Sequence, residues 1–359
     1  MKDLSDNRIV IGLSGGVDST TAALLLKEAG MEVTGYYFDV LGNNVKGVEN
    51  AARAAEEIGI DFIHEDVSQE FRDIVIRNFC DEYMNGRTPN PCVLCNPNIK
   101  FKKMIETADR IGAKYISTGH YGRIAKDEIN DLYFVRMGAS YKKDQSYMLY
   151  RLGQDILSRI RFPIGGIEDK DNTRSIARKH HMFNADASDS QEICFVSSES
   201  GGYVKYIENL GFRAEKGNFV DRNGKVLGKH SGLINYTIGQ RKGLGITFGR
   251  PAFVTAIDPQ SNTVTLGRND ELFEREIFSK DNFFAATSGS EIPEIYGKNP
   301  RVMAKIRYAA KPSPATVSQT EDGRLLTLFD EPQRAATPGQ SVVFYIDDMV
   351  IGGGFIDYK

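Results

Sequence analysis

No run of apolar residues in this 359-residue chain approaches the roughly 20 that a membrane-spanning helix needs, so the sequence reads as that of a soluble protein. Residues Met1-Lys2-Asp3-Leu4-Ser5-Asp6 carry no apolar leader, and a cytoplasmic location without a membrane partner is the expectation. Cysteine is scarce as well. Cys80, Cys92, Cys95 and Cys194 are too few to frame a chain of this length with disulfides, and a reducing compartment would not preserve them. Charge of one sign is also missing: 45 basic side chains face 48 acidic ones, a net −3. That balance neither requires nor excludes a nucleic-acid partner, because binding depends on a local basic surface. There is no internal repeat and no low-complexity run. What remains is ordinary globular composition, 41% hydrophobic and 26% charged, over a length that calls for two or three domains.

The first motif is defined partly by a residue it lacks. Ser14-Gly15-Gly16-Val17-Asp18-Ser19 follows the apolar run Ile9-Val10-Ile11-Gly12-Leu13, which puts a Gly-rich turn between a strand and a helix. Adjacent glycines let backbone approach an anion, Ser14 and Ser19 offer hydroxyls, and the helix start adds free N–H groups. A Walker loop would place Lys after the glycines; here Asp18 stands there, so Mg²⁺ rather than an ammonium is the expected cation at the phosphates. The stretch resembles the PP-loop of N-type ATP pyrophosphatases, which split ATP into AMP and pyrophosphate while adenylating an oxygen of a substrate.

Periodicity places short buried strands at 9–13, 32–38, 61–65 and 114–117, with helices at 19–29, 46–58, 69–83 and 100–111 between them. The alternation predicts an α/β fold with a doubly wound parallel sheet, in which ligands sit beyond the carboxyl ends of the strands. Gly119-His120-Tyr121 should therefore face the same crevice as the opening loop. Residues 122–137 read as a hairpin turning near 128–131, and 144–151 as the start of another helix. Beyond about residue 201, short strands alternate with turn signals at Arg222-Asn223-Gly224, Pro259-Gln260-Ser261-Asn262, Glu321-Asp322-Gly323 and Asp347-Asp348. The expected division is a catalytic domain over 1–200, a small central β-rich domain over 201–280 and a β-barrel-like domain over 281–359.

All four cysteines lie in the half that carries the loop. Cys92 and Cys95 have C-x-x-C spacing in the Pro- and Asn-rich stretch Asn90-Pro91-Cys92-Val93-Leu94-Cys95-Asn96, read as a loop where a thiol is exposed. That spacing alone fits a redox dithiol, half a zinc site or part of an iron–sulfur site. A structural zinc lacks its second ligand pair, since His180 and His181 are adjacent. Cys194, in Asp189-Ser190-Gln191-Glu192-Ile193-Cys194-Phe195, would by itself read as a buried inert thiol.

Taken together, Gly12 to Ser19, Thr88-Pro89-Asn90-Pro91-x-x-x-Cys95-Asn96, Thr118-Gly119-His120-Tyr121, Lys143-Asp144-Gln145-Ser146-Tyr147 and the Asp189 to Phe195 stretch resemble the tRNA-specific 2-thiouridylases. Two further blocks extend the resemblance over essentially the whole chain: His230-Ser231-Gly232 with Tyr236-Thr237-Ile238-Gly239-Gln240-Arg241-Lys242-Gly243-Leu244-Gly245, and Ile306-Arg307-Tyr308 with Pro338-Gly339-Gln340.

The resemblance implies ATP-dependent 2-thiolation of the wobble uridine of a tRNA: ATP with Mg²⁺ adenylates the 2-carbonyl oxygen, and sulfur replaces it. By similarity, Cys194 carries a persulfide received from a sulfur-relay protein and Cys95 is the nucleophile that completes transfer. A second thiol is needed because a persulfide gives up its outer sulfur when another thiol takes its place. The implied ATP site is Gly12, Leu13, Ser14, Gly15, Gly16, Val17, Asp18, Ser19, Phe38 and Gly119. Phe38 stands where Met is common in the family, and on its own reads equally as a core aromatic at a strand end. Asn90, Pro91 and Cys92 match the stretch against the target base, and His120, Lys143, Asp144, Gln145, Arg307, Tyr308 and Gln340 match tRNA-contact positions. A base is read more cheaply from an anticodon loop than from a duplex. One monomer per tRNA is expected. Cys92 departs from the family, where Asp is common, and a thiol does not replace a standing carboxylate at neutral pH. The alternative role for Cys92, Cys95 and Cys194 is as three thiolate ligands of a [4Fe–4S] cluster whose open iron binds hydrosulfide.

Overall fold

The computed structural model describes residues 7–187, 193–196, 201–246 and 251–358. The first half runs β1 (Arg8–Gly12), α1 (Val17–Glu28), β2 (Glu32–Asp39), α2 (Val45–Ile58), β3 (Asp61–Asp66), α3 (Ser68–Phe71), α4 (Arg77–Met84), α5 (Pro91–Cys95), α6 (Phe101–Ile111), β4 (Tyr115–Thr118), β5 (Gly122–Asp127), β6 (Leu132–Met137), α7 (Gln154–Leu157), β7 (Ile160–Arg161) and α8 (Lys170–Lys179). Single π turns, Arg72–Ile76 and Asn96–Lys100, join α3 to α4 and α5 to α6.

Five of these strands form one parallel sheet in the order β3-β2-β1-β4-β7. β1 is central, and its Ile9, Val10 and Ile11 are fully buried. A strand covered on both faces reads as a continuous apolar run, which is how it stands out in the sequence. Val10 packs with Phe101 and Met104 of α6 on one face. Ile9 and Ile11 pack on the other against Ala22 and Ala23 of α1, Ala54 and Ala55 of α2 and Ala177 of α8. Because β2 lies on one side of β1 and β4 on the other, strand order reverses at their carboxyl ends, and a crevice opens there.

Residues 144–151 do not form the expected helix. Asp144 turns its carboxylate back to accept from the N–H groups of Gly138 (2.9 Å) and Ser146 (3.1 Å) and from the Ser146 hydroxyl (2.9 Å), leaving one 3₁₀ turn at Ser146–Met148. The following Tyr147 and Tyr150 are then free to pack against the second half of the chain.

That half continues with α9 (Gly202–Asn209), β8 (Gly217–Val220), β9 (Val226–His230), β10 (Phe253–Asp258), β11 (Thr263–Gly267), β12 (Phe273–Phe284), β13 (Arg301–Lys305), β14 (Ser313–Gln319), β15 (Leu325–Arg334), β16 (Ser341–Ile346) and β17 (Met349–Asp357). β10-β11-β8-β9 form a small sheet whose inner pair is parallel. β12-β15-β14-β13-β16-β17 close on themselves through a β12–β17 pairing, so the barrel has no free edge among these strands. Its first strand, β12, begins at Phe273. The β5–β6 hairpin leaves the parallel sheet and extends β17, with Arg123 and Arg136 both on Asp348 at 2.9 and 2.7 Å. Among the described residues no helix is long and apolar enough to cross a membrane.

Candidate functional site

The Ser14–Ser19 loop sits at the reversal point. Gly15 adopts a left-handed φ of +74°, and a Cβ there would stand 2.8 Å from Asn50 Cβ. The sequence therefore has glycine where backbone and space both demand it. Ser19 Oγ accepts from the Ser14 N–H (3.1 Å), lies 3.1 Å from Ser14 Oγ and donates to the Gly16 carbonyl (3.0 Å). Gly16 caps α1 without a side chain, so the first N–H groups of the helix are left for a ligand. Gly119, beyond β4, packs against the same turn: a Cβ on it would lie 2.6 Å from Ser19 N. The two loops predicted to share a crevice are in van der Waals contact. Phe38 is half-buried near the end of β2, with its ring 6.2 Å from that of Tyr36.

Three further residues complete this turn: Tyr121, already expected at this crevice, and Asn184 and Lys170, which no local spacing signals. Asn184 donates to the Gly15 carbonyl (2.7 Å) and Thr20 Oγ1 (2.8 Å). Lys170 and Tyr121 hold the carboxylate of Asp18, the ammonium at 2.6 Å and the phenol at 2.8 Å. Lys170 arrives from 152 residues downstream, and only the fold brings it there.

Cys92 and Cys95 lie on helical backbone, not on the expected loop. Asn90 accepts from the Cys92 N–H at 3.2 Å and caps α5, and Pro91 occupies its first turn, so the Pro- and Asn-rich composition starts a helix here. Cys92 faces solvent, whereas Cys95, one turn on, is buried. Cys95 shares an apolar cluster with Phe79, Ile99, Phe195 and Val196, and Ile193 packs against it. The segment carrying Cys194 is thereby held beside Cys95. Residues 189–192 of that motif lie outside the described residues. All four cysteines are free thiols, and Cys80 is fully buried beside Phe79, a core residue.

Burial pushes the Cys95 thiol up to about 11, against the opposing charge of Lys100. Desolvation, then the neighbouring Cys92 and Cys95, pushes Cys194 up to about 12, again opposed by Lys100. Cys194 itself is exposed. Lys100 Nζ also lies 3.5 Å from His120 Nε2, and His120 Nδ1 lies 2.6 Å from Thr118 Oγ1. An ammonium only donates, so Nε2 accepts and the ring proton sits on Nδ1 toward Thr118. Burial, with Lys100 beside it, holds His120 well below its ordinary value and keeps it neutral.

Among the tRNA-contact candidates, Arg307 and Tyr308 are exposed, and Tyr308 meets Tyr147 edge-on at 6.5 Å. Lys143 is half-buried. Asp144 is buried with its oxygens engaged as above and Lys305 at 3.7 Å, so it shapes the turn from beneath. Gln145 exchanges hydrogen bonds with the Tyr121 backbone, 2.8 and 2.9 Å. Gln340 donates to the Thr88 carbonyl (2.8 Å), and the Thr88 N–H donates to Pro338 (2.8 Å), so the barrel clamps the stretch leading to Asn90, Pro91 and Cys92. Among the described residues no three Cys, His, Asp or Glu side chains converge as a metal-ligand set. Cys92, Cys95 and Cys194 do not fit a cluster in this arrangement.

The chain matches three family models in succession: a tRNA methyl transferase HUP domain over residues 7–198, a tRNA methyl transferase PRC-barrel domain over 205–268 and an aminomethyltransferase beta-barrel domain over 283–356. It is 45% identical over 364 residues to tRNA-specific 2-thiouridylase MnmA of Clostridioides difficile, covering 98% of each chain. It is 44% identical to tRNA-specific 2-thiouridylase MnmA 2 of Caldanaerobacter subterraneus subsp. tengcongensis, covering 99% of each. tRNA-specific 2-thiouridylase MnmA of Clostridium acetobutylicum matches at 44% identity over 98% of this chain and 99% of its own.

Proposed function

The chain belongs to the tRNA-specific 2-thiouridylase family, and from that premise we propose that it replaces the 2-oxygen of a tRNA wobble uridine with sulfur by adenylation followed by transfer from a cysteine persulfide. The observation that carries this reading is the pairing of a phosphate-type turn at Gly12–Ser19 with two thiols held at one wall, Cys95 in the apolar cluster and Cys194 beside it. Methyl transfer, the word in two of the family-model descriptions, has no use for either feature.

The residues fit a nucleotide with Mg²⁺. Uncapped N–H groups of α1, the exposed Ser14 and the backbone at Gly119 suit phosphates, and the Asp18 carboxylate suits a hard cation. Bound ATP supplies the group that makes the 2-oxygen a leaving group: the uracil oxygen bonds to the α-phosphorus, pyrophosphate departs with the electron pair of the broken P–O bond, and the N3 proton passes to solvent.

Cys194 takes the outer sulfur of a persulfide on a donor protein, whose thiol is released. The outer sulfur of Cys194 then attacks C2 and expels AMP. Cys95 attacks the inner sulfur as its thiol proton passes to the departing 2-thiouridine, leaving a Cys95–Cys194 disulfide, which a dithiol reductant must reopen. If Cys95 attacks first, hydrosulfide leaves and itself displaces AMP. Asn90, Pro91 and Cys92 line the base; His120, Lys143, Gln145, Arg307, Tyr308 and Gln340 serve the tRNA, with Asp144 setting the turn that carries Lys143 and Gln145.

Mass spectrometry of nucleosides from unmodified tRNA incubated with the protein, Mg–ATP and a persulfide donor tests the reading. 2-Thiouridine is expected, with Cys95→Ser and Cys194→Ser each abolishing it. AMP release without any 2-thiouridine would exclude sulfur transfer.

A further inference from the structure

At the head of α1 both oxygens of the Asp18 carboxylate have partners. Lys170 Nζ lies 2.6 Å from each of its oxygens, and Tyr121 donates its hydroxyl to Oδ1 at 2.8 Å. The Tyr121 hydroxyl also lies 2.9 Å from Thr173 Oγ1, one turn beyond Lys170 on α8, and Thr21 of α1 donates to the Thr173 carbonyl at 3.2 Å. Asp169 caps α8 by accepting from the Asp171 N–H, which fixes where the lysine side chain begins. Lys170 is only 9% exposed and passes 5.9 Å from the Tyr121 ring.

The pair is partly buried, the Lys170 side chain 10% and the Asp18 side chain 33% exposed, and desolvation offsets much of the attraction, so it gains little for folding. Its position is more informative than its strength. Ser14, Gly15, Gly16 and the first N–H groups of α1 form an anion cradle, and Asp18 is the residue in it suited to hold Mg²⁺. An ammonium in contact with both oxygens competes with Mg²⁺ for the carboxylate, so metal binding there favours displacement of the ammonium. A phosphate chain bound in the cradle would offer the displaced ammonium a second anion. A lysine is a compact charge on a flexible four-carbon stem, suited to a short move between two anions.

We propose that Lys170 is a pyrophosphate-binding residue of the nucleotide site, stored on Asp18 in the empty chain and transferred to the β- and γ-phosphates when Asp18 accepts Mg²⁺. The inference rests on the adenylating reading of the loop. Charge is conserved through the exchange: the Asp18–Lys170 pair opens, the carboxylate meets the cation, and the ammonium meets the oxygens on which negative charge accumulates as the α–β P–O bond breaks. Tyr121 stays on Asp18 and keeps it oriented.

The test measures equilibrium binding of Mg–ATP, AMP and inorganic pyrophosphate to the full chain without tRNA. Lys170→Met is expected to lose at least about tenfold in ATP and pyrophosphate affinity while AMP affinity stays within about twofold, and Lys170→Arg to retain most of the binding. Should Lys170→Met fold poorly, the charge-neutral Asp18→Asn/Lys170→Met pair restores folding and still fails to bind pyrophosphate. Asp18→Asn alone releases the ammonium and should strengthen metal-free pyrophosphate binding. Equal losses for AMP and ATP would mark Lys170 as a structural partner of Asp18 and overturn the proposal, as would unchanged ATP affinity. Nucleotide binding that follows the expected pattern in a chain that makes no 2-thiouridine would sink the thiolation reading and leave Lys170 in place.

Discussion

Gln340, on the turn before β16, donates its side-chain amide to the backbone carbonyl of Thr88 at 2.8 Å. Gly339 lies so close to the same place that a Cβ on it would stand 3.0 Å from Thr88 N. A residue of the barrel thus braces the backbone two positions ahead of the Asn90 cap, on which the placement of Cys92 and Cys95 depends.

Gln340→Ala removes a half-buried hydrogen bond worth about 1 kcal/mol and frees the turn that aims the thiols. Displacement of a reacting group is costlier than the bond itself, so the turnover number for 2-thiouridine is expected to fall about tenfold. Mg–ATP affinity should not change, because the cradle lies on other elements. A parallel fall in ATP affinity would mean that Gln340 holds the whole domain and not this turn.

Asn90→Ala acts on the same stretch from inside. Loss of the cap costs about 1 kcal/mol of helix stability at α5. Asn90→Asp keeps an acceptor for the Cys92 N–H and should hold the helix, so thermal midpoints of the two variants separate the cap from any contact with the base. If both lose thiolation while only Asn90→Ala loses stability, the amide itself meets the substrate.

Gly119→Ala addresses the nucleotide side. The new Cβ would lie 2.6 Å from Ser19 N and 2.7 Å from Asp18 C, backbone atoms that cannot swing aside. Overpacking of this kind costs about 1–3 kcal/mol, and here it pushes on the turn that must hold phosphates. ATP affinity is expected to drop by about tenfold or more, with a lowered melting temperature by calorimetry. Ser14→Ala, at an exposed hydroxyl, should lose affinity without losing stability.

Much of this was legible in the sequence because the informative features are local. A buried central strand, Ile9-Val10-Ile11, followed by two glycines and a helix marks both the sheet and its crevice, and Gly119 follows from the rule that strand ends share that crevice. Pro and Asn ordinarily mark a loop, so composition points Cys92 and Cys95 to one; at Asn90-Pro91 the same residues cap and start a helix. Lys170, Lys100 and the Asp144–Lys305 pair were not legible. Each acts on a partner reached through tertiary packing, and a lone Lys in a sequence with 45 basic residues carries no mark of its partner.

The two thiols of the cluster also set a pH dependence whose sign is fixed by their burial. Cys95 and Cys80 are both pushed up to about 11, chiefly by desolvation. An unfolded cysteine loses its proton near 8.5, roughly, so between that value and about 11 the folded chain holds protons that the unfolded chain has given up. Stability linked to these groups is fully present below the lower value and is lost as pH rises through the window. The urea midpoint is therefore expected to fall from pH 8 to pH 10, and Cys80→Ala/Cys95→Ser, which cannot ionise there, should fall less steeply. Iodoacetamide should modify exposed Cys92 before Cys95 in the native chain at pH 8, and reaction at Cys95 should climb with pH. Equal modification of the two at pH 8, or identical pH slopes for the parent and the double variant, would show that the Cys95 thiol is not held neutral by its surroundings.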